Sequence, residues 1–507
     1  MRYLAGSAIA VVLLLPSDPV RAQEHHHPKP GQTEQLGTVH FETSCRPEVA
    51  PPFDRAVALL HSFEFGGALA AFGKVLATDS SCAMAHWGIA LARWTNPMAA
   101  GVRSAAQLRA GKEAVDAGLR LAPLASERER GYLDAVRNLY QDYGQVDQLT
   151  RVLAYERAMR ELVARHPTDT EAKIFHAIAL AASAPPTDKT FAKQLEAGRI
   201  LEGLWTKQPD HPGLAHYIIH SYDYPPLAAK ARQAARRYAG IAPAAAHALH
   251  MPSHTFTRLG MWSESVEANR RSMDAALGTG SIAEALHAAD YAVYAYLQMG
   301  REAQAKALLD QLPSLAARFD PNAITGAAPG SAGVFALAAI PARWSLERSA
   351  WAEAAALEPR ASDYSHAEAM TYFARALGAV HLRDFEKAEA GVDSLAAIQQ
   401  RLSSKSERYW AEQVAIQHLA AQAWLDLAEE RPDQALERMR EAVRREDATE
   451  KNAVTPGPLK PARELLADML LKLGRAKEAR AEYRATLEKE PNRRHALEGA
   501  SGRTKPD

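Results

Sequence analysis

Leu473-Gly474-Arg475-Ala-Lys-Glu-Ala479-Arg-Ala-Glu-Tyr483-Arg-Ala-Thr-Leu-Glu-Lys-Glu-Pro491 is the stretch whose pattern sets the fold class. Leu473-Gly474-Arg475 has the chemistry of a tight turn between two helices, with glycine where the backbone must reverse. Ala479 and Tyr483 follow at four-residue spacing, so they share one face of the second helix. Pro491 lacks an N–H and ends that helix.

The pattern recurs along the chain. Ala68, Phe72 and Val75 repeat the spacing, with Ser80 in the place of the proline. Leu259-Gly260, Met299-Gly300 and Arg383-Asp384 mark further turns inside pairs. From residue 52 onward apolar residues recur at three and four positions, alanines stand where helices must approach closely, and β-branched runs of period two are absent. Helix pairs with this signature are tetratricopeptide-like. The expectation is an all-α solenoid of about eight to ten helix pairs, wound as a right-handed superhelix. Insertions fall near Ala184-Pro185-Pro186, Tyr224-Pro225-Pro226, Phe319 to Gly333 and Ala448 to Pro461. Gly, Ala, Pro and Asn accumulate at 321–333, which divides the pattern into an array over 51–320 and another over 334–500. That segment reads either as a linker or as an ordered loop closing over the concave face. Residues 501–507 read as a disordered tail.

The N-terminus has the pattern of a secretory signal peptide over 1–22. Arg2 supplies the positive start, Ala8 to Leu15 the uncharged apolar run, and Val20-Arg21-Ala22 the cleavage site. The apolar run falls short of the ~20 residues that span a bilayer. No later segment reaches that length, and no cysteine follows for lipid attachment. The expected location is therefore periplasmic or extracellular, without a membrane span. Residues 23–50 lack helical periodicity and read as a flexible leader containing His25-His26-His27, a solvated tract able to scavenge metal. Lys+Arg and Asp+Glu both number 60. A nucleic-acid binder needs a basic excess, so that partner is not expected. Cys45 and Cys82 are an even count in an oxidising compartment. They read as a disulfide worth ~3–4 kcal/mol from chain entropy, or as two buried thiols.

Six of the 19 histidines fall between residues 211 and 254. His216 and His220 are four apart on a helix begun by Asp210 and Pro212, so they share a face. His247, His250 and His254 share a face if their helix continues, and Pro252 kinks or restarts it. His287 and Asp290 open the next pair. First helices of successive pairs lie side by side, so His216, His220, His250, His254 and His287 can converge on one concave pocket with Asp290 at its edge. Imidazoles in that pattern suit a divalent transition metal such as zinc, copper, iron or nickel. Two other readings compete: a polar, metal-free ligand groove that also uses Tyr217, His247, Arg258 and Tyr291, and purely structural histidines bonded to nearby tyrosines and carboxylates. His61, Glu64 and His86 form a smaller set with the same alternatives. Arg258, Arg375 and Lys451 could bind an anion, and the rigid Thr455-Pro-Gly-Pro458 loop could cover the groove. No G-x-S-x-G elbow, Walker loop, dinucleotide fingerprint or H-E-x-x-H helix is present, so no catalytic residue is named.

Several stretches together carry a resemblance. They are Gly37 to Cys45, Leu59-Leu-His61-Ser-Phe63, Cys82-Ala-Met-Ala-His86-Trp87-Gly88, Asp210-His-Pro-Gly213 and His247 to His254, with Ala285 to Tyr291, Thr371 to Arg375, Thr449 to Lys451 and Val454 to Pro458. In these the chain resembles a group of secreted bacterial tetratricopeptide-repeat proteins over nearly its whole mature length. The resemblance implies the fold and carries no activity. The wider repeat family implies an interaction scaffold that takes a protein, a peptide or a small ligand in its concave groove. The leading expectation is an exported binding scaffold. The alternative is a metal-binding protein or metal-dependent enzyme built on the clustered histidines.

Overall fold

The computed structural model of the chain describes residues 34–99, 101–405 and 407–503. The expected signal peptide and the His25–His27 tract lie outside the described residues, as do residues 504–507 of the expected tail. Every regular element among the described residues is helical, from Pro47 to Ala500. The chain is the expected all-α solenoid of tetratricopeptide-like helix pairs. In the C-terminal pair, Ala462–Lys472 and Ala476–Lys489 flank Gly474, whose φ of 75° is the left-handed turn the sequence asks for. Ala479 and Tyr483 are fully buried between them. Met299-Gly300 turns the same way at φ 68°.

Buried faces of successive helices merge into three large apolar cores and a small cluster of Ala246, Ala276 and Ala285. One runs from Leu36 to Phe256, one from Trp262 to Trp344, and one from Ala283 to Ala496. The described residues from Gln35 onward form one compact unit. The 321–333 segment is ordered. The Gly66 N–H donates to the Thr325 carbonyl at 2.8 Å, and the Ala328 N–H donates to Glu284 at 2.8 Å. A Cβ on Gly66 would lie 2.7 Å from the carbonyl oxygens of both Ile324 and Thr325, so glycine is what permits the approach. The next helix, Gly330–Leu346, packs directly on Ile282–Gln298. The two expected arrays thus meet helix to helix with no spacer between them.

The C-terminal unit also departs from a simple stack by touching the middle of the chain. The Trp262 indole N–H donates to the Asn492 carbonyl at 2.9 Å, and Asn492 donates back to the Gly260 carbonyl at 3.2 Å. Arg493 is fully buried. It pairs with Glu464 at 2.8 Å and Glu347 at 2.6 Å, and donates to the Tyr294 hydroxyl at 3.0 Å.

The flexible leader expected over 23–50 needs correction for its described part. Leu36 and Phe41 are buried, and backbone N–H groups of Thr38, Phe41 and Ser44 donate to the Asp210 carbonyl, Asp54 and Glu129 at 2.9, 2.8 and 2.7 Å. The segment lies across helices in extended form, which is why it shows no helical period. Its end is fastened by a Cys45–Cys82 disulfide, with Cα atoms 4.8 Å apart, at the start of helix Ala83–Trp94.

Candidate metal centre

Three helical segments carry the histidines. Pro212–Ser221 begins at a proline in its first turn and places His216 and His220 one turn apart. Ala246–His250 and Pro252–Arg258 are one helical path interrupted at Pro252. Met251 keeps helical angles (φ −53°, ψ −36°), so His247, His250 and His254 stay on one side. Ile282–Gln298 supplies His287. The middle path packs against both of the others. All six imidazoles are at most 5% exposed. They lie inside the protein, so the expected open concave groove is not what they line.

The histidines sort into two adjoining triads. In each, the candidate ligand atoms lie within 4.8 Å of one another: His216, His220 and His247 in the first, His250, His254 and His287 in the second. Ring centroids of His247 and His250 are 5.7 Å apart, and those of His220 and His254 are 6.0 Å apart, so the triads share a boundary. In the first triad the Nε2 atoms of all three rings are buried without a hydrogen-bond partner.

The proton on several rings can be placed from its partner. A carbonyl or carboxylate oxygen only accepts, so a ring nitrogen facing one must donate. His216 Nδ1 donates to the His61 carbonyl (2.6 Å) and His247 Nδ1 to Glu284 (2.9 Å). His254 Nδ1 donates to Asp223 (2.9 Å). His250 Nδ1 faces Asn269 Oδ1 at 2.7 Å, and the Asn269 amide nitrogen is occupied by the Ser265 carbonyl at 2.7 Å, so Oδ1 accepts here. In a neutral ring each of these bonds leaves Nε2 as a bare lone pair. His250 Nε2 and His254 Nε2 then face each other at 3.0 Å with no proton between them.

Electrostatics disfavours charge on His216, His220, His250, His254 and His287. Burial, reinforced by neighbouring imidazoles, holds His216, His220 and His250 well below the usual histidine range. Burial brings His254 down to about 4 and His287 down to about 3. Burial works against charge on Asp223, but Lys451 Nζ at 3.0 Å and Arg258 Nε at 2.9 Å hold its carboxylate ionised. With two cations already on that carboxylate, a further positive charge on His254 is disfavoured. Two facing lone pairs in such a place could hold a Lewis acid. An ion ~2.0–2.1 Å from each nitrogen would span 3.0 Å at roughly a right angle.

The remaining expected residues fall around this centre. Tyr291 stacks on His254 with centroids 4.9 Å apart, and its hydroxyl donates to the Thr455 carbonyl at 2.9 Å, so the Thr455–Pro458 loop does close over the second triad. Arg258 and Lys451 act through Asp223. Tyr217 contacts His61 at 3.1 Å. Asp290 is a correction: it pairs with buried Arg343 at 2.8 Å, because Arg343 is the nearer cation on the adjacent helix, and it does not reach the histidines. Arg375 lies elsewhere, on the Leu357 carbonyl.

The set His61, Glu64 and His86 does not assemble. His61 and His211 both bond Glu171 at 2.9 Å, and Glu64 accepts the His247 backbone N–H at 3.2 Å, whereas His86 is half-buried beside Gly118. Sequence reasoning counted Asp223 only among the carboxylates near the histidines, and it missed Asn269, Glu284 and Glu171. Asp223 lies three residues after His220 and Glu284 three before His287, a same-face spacing that could have found both. Asn269 carries no such signal.

No helix among the described residues is long and apolar enough to cross a membrane. No protein-family model matches the chain, and no curated protein matches it. Among solved structures the chain is similar to yeast Tom70, at 12% identity and a TM-score of 0.40 over 90% of this chain and 95% of that one. It is similar to a monomeric mutant of IFIT1 with Gppp-AAAA, at 11% identity and a TM-score of 0.39 over 83% and 89%. It is also similar to the APC/C hetero-tetramer Cut9–Hcn1, at 13% identity and a TM-score of 0.35 over 83% and 76%. At these scores the likeness assigns neither partner nor activity.

Proposed function

We propose that the protein binds transition-metal ions, two per chain, in the adjoining sites His216/His220/His247 and His250/His254/His287. The observation that carries the reading is the facing pair of bare Nε2 atoms on His250 and His254, with three more orphaned Nε2 atoms beside them. A binding groove without metal would expose its histidines and satisfy these nitrogens with a ligand's donors. Structural histidines would be bonded on both sides, as His61 is. Polar partners behind the rings, namely the His61 carbonyl, Glu284, Asn269 and Asp223, are what orient imidazole ligands and raise their basicity. The all-nitrogen donor set favours copper, zinc, nickel or iron over magnesium or calcium. Three protein ligands per ion leave a coordination position open, which is the arrangement of a reactive site more than of a sealed structural one.

Export from the cytosol fits the same picture. The Cys45–Cys82 disulfide, the signal-like N-terminus and the likeness of the quoted motifs to secreted bacterial repeat proteins support a periplasmic or extracellular location. Cell fractionation of the native host tests that point.

The metal reading is tested by elemental analysis of protein expressed without a polyhistidine tag and with His25 to His27 deleted. About two ions per chain are expected, and about one after H250A/H254A, by the two-site geometry. Less than about a tenth of an ion per chain, after dialysis against copper or zinc, would reject it.

A further inference from the structure

A cleft adjoins the histidine centre, sharing Arg258, Lys451 and the Thr455–Pro458 loop with its edge, and lies between helices Ser365–His381 and Arg408–Ala428 and the loop that follows Ala448. It encloses about 1150 Å³ of empty space, its open mouth included. The walls are aromatic, with Trp262, Tyr294, Phe335 and Trp410 all nearly buried. His366 stacks flat on Trp410, with centroids 3.9 Å apart and planes 3° from parallel.

Polar groups in the same walls lack partners. His366 is 4% exposed, and neither ring nitrogen has a hydrogen-bond partner. Glu450 is 8% exposed. One of its oxygens meets Lys189 at 2.8 Å, and the other, Oε2, is buried and unpartnered. Gln417 Oε1 is likewise buried and unpartnered. Buried polar groups are almost always hydrogen-bonded, so three unpartnered ones beside one cavity mark a place where something supplies the missing bonds.

The chemistry of that occupant can be read from what is left over. Glu450 Oε2 and Gln417 Oε1 only accept, and His366 offers one donor and one acceptor. The cations in the walls are already engaged: Lys451 and Arg258 by Asp223, Lys460 by Asp468 at 3.4 Å, and Lys489 by the Glu446 carbonyl at 3.2 Å and Asp447 at 4.0 Å. The two accepting oxygens, one of them on a carboxylate, therefore ask for hydrogen-bond donors, and the flat aromatic walls ask for a ring.

We propose that this cleft binds a small aromatic amine, with the ring between the aromatic walls and the protonated amino group on Glu450 Oε2 and Gln417 Oε1. The site uses none of the six metal-binding histidines, so it goes beyond the metal reading and stands or falls separately.

Isothermal titration calorimetry of the purified protein with tryptamine and tyramine tests it. One site is expected. E450Q, which keeps the side-chain shape, and H366F, which keeps the stack on Trp410, should each weaken binding about tenfold or more. Indole-3-acetate, with the same ring and the opposite charge, should bind at least about tenfold more weakly than tryptamine. Circular dichroism checks that both variants fold. The proposal is overturned if neither amine binds at roughly millimolar concentration, if E450Q leaves affinity unchanged, or if the acid binds as tightly as the amine.

Discussion

Four imidazoles in the centre carry their proton on Nδ1 because an oxygen acceptor stands there, and this places the lone pair on the inward nitrogen. Glu284 does this for His247 while also accepting the Ala328 N–H, so it ties a ring to the 319–329 loop. E284Q removes the charge behind His247 and should lower affinity for the ion of the first site about 10–100-fold. Competition with a chromophoric chelator measures this, and an unchanged constant would mean that Glu284 only holds the loop. At this scale much of the site was legible. The four-residue spacing paired His216 with His220 and His250 with His254, and neighbouring first helices brought His287 alongside. What spacing could not give was the partition. His247 joins the first triad, its ring 5.0 Å from that of His216, while His250, on the same short helix, lies 4.4 Å from His287 in the second. Asp290 shares a face with His287, yet Arg343, distant in sequence, takes it.

Single elements carry two further predictions. In helix Pro432–Ala448, burial raises Glu446 to about 7, above its ordinary 4.5, and its Oε1 accepts the Ala462 N–H at 3.0 Å. A carboxyl raised by folding is better protonated in the native state than in the unfolded one. Its contribution to stability is full below about 4.5 and is lost as pH rises through about 7. The melting temperature of the wild type should therefore fall over this window, and E446Q should flatten that fall. Thermal melts at several pH values decide it, and parallel curves would assign the slope elsewhere. The disulfide is the second case. It closes a separation of 37 residues between the extended segment and helix Ala83–Trp94, so C45S/C82S should lose ~3–4 kcal/mol, read by denaturant unfolding. A loss near zero would mean that Leu36, Phe41 and the Glu129 contacts hold the segment unaided. The helices and their turns were readable because period 3.6 and Gly turns are local signals. The docking of 36–50 and of 319–329 was not, because extended chain fixed by distant carbonyls and carboxylates leaves no periodic trace.

For the molecule as a whole, a linear repeat array confines the effect of losing its last unit to the neighbouring repeat. Here the last unit also touches Gly260, Trp262, Tyr294 and Gln298. Deleting residues 461–507 should therefore lower the melting temperature of the middle helices as well as solubility, and change the emission of Trp262. A soluble truncation with an unchanged melt would contradict that. R493A is the sharper probe. It strands the carboxylates of Glu464 and Glu347 in the interior and should cost ~3–5 kcal/mol in chemical denaturation. A loss under about 1 kcal/mol would mean that water or Lys460 compensates.

The Trp262–Asn492 contact joins positions 230 apart, and it has a bearing on time as well as on stability. Closing so long a stretch of chain is slow compared with stacking a helix on its neighbour. Each repeat can form as soon as its neighbour is available, but the middle of the protein keeps one side open until Asn492 docks against Trp262. Maturation thus has two clocks, a fast local one that builds the histidine helices and a late one that shuts the seam beside Gly260. An indole sits on that seam as its own reporter.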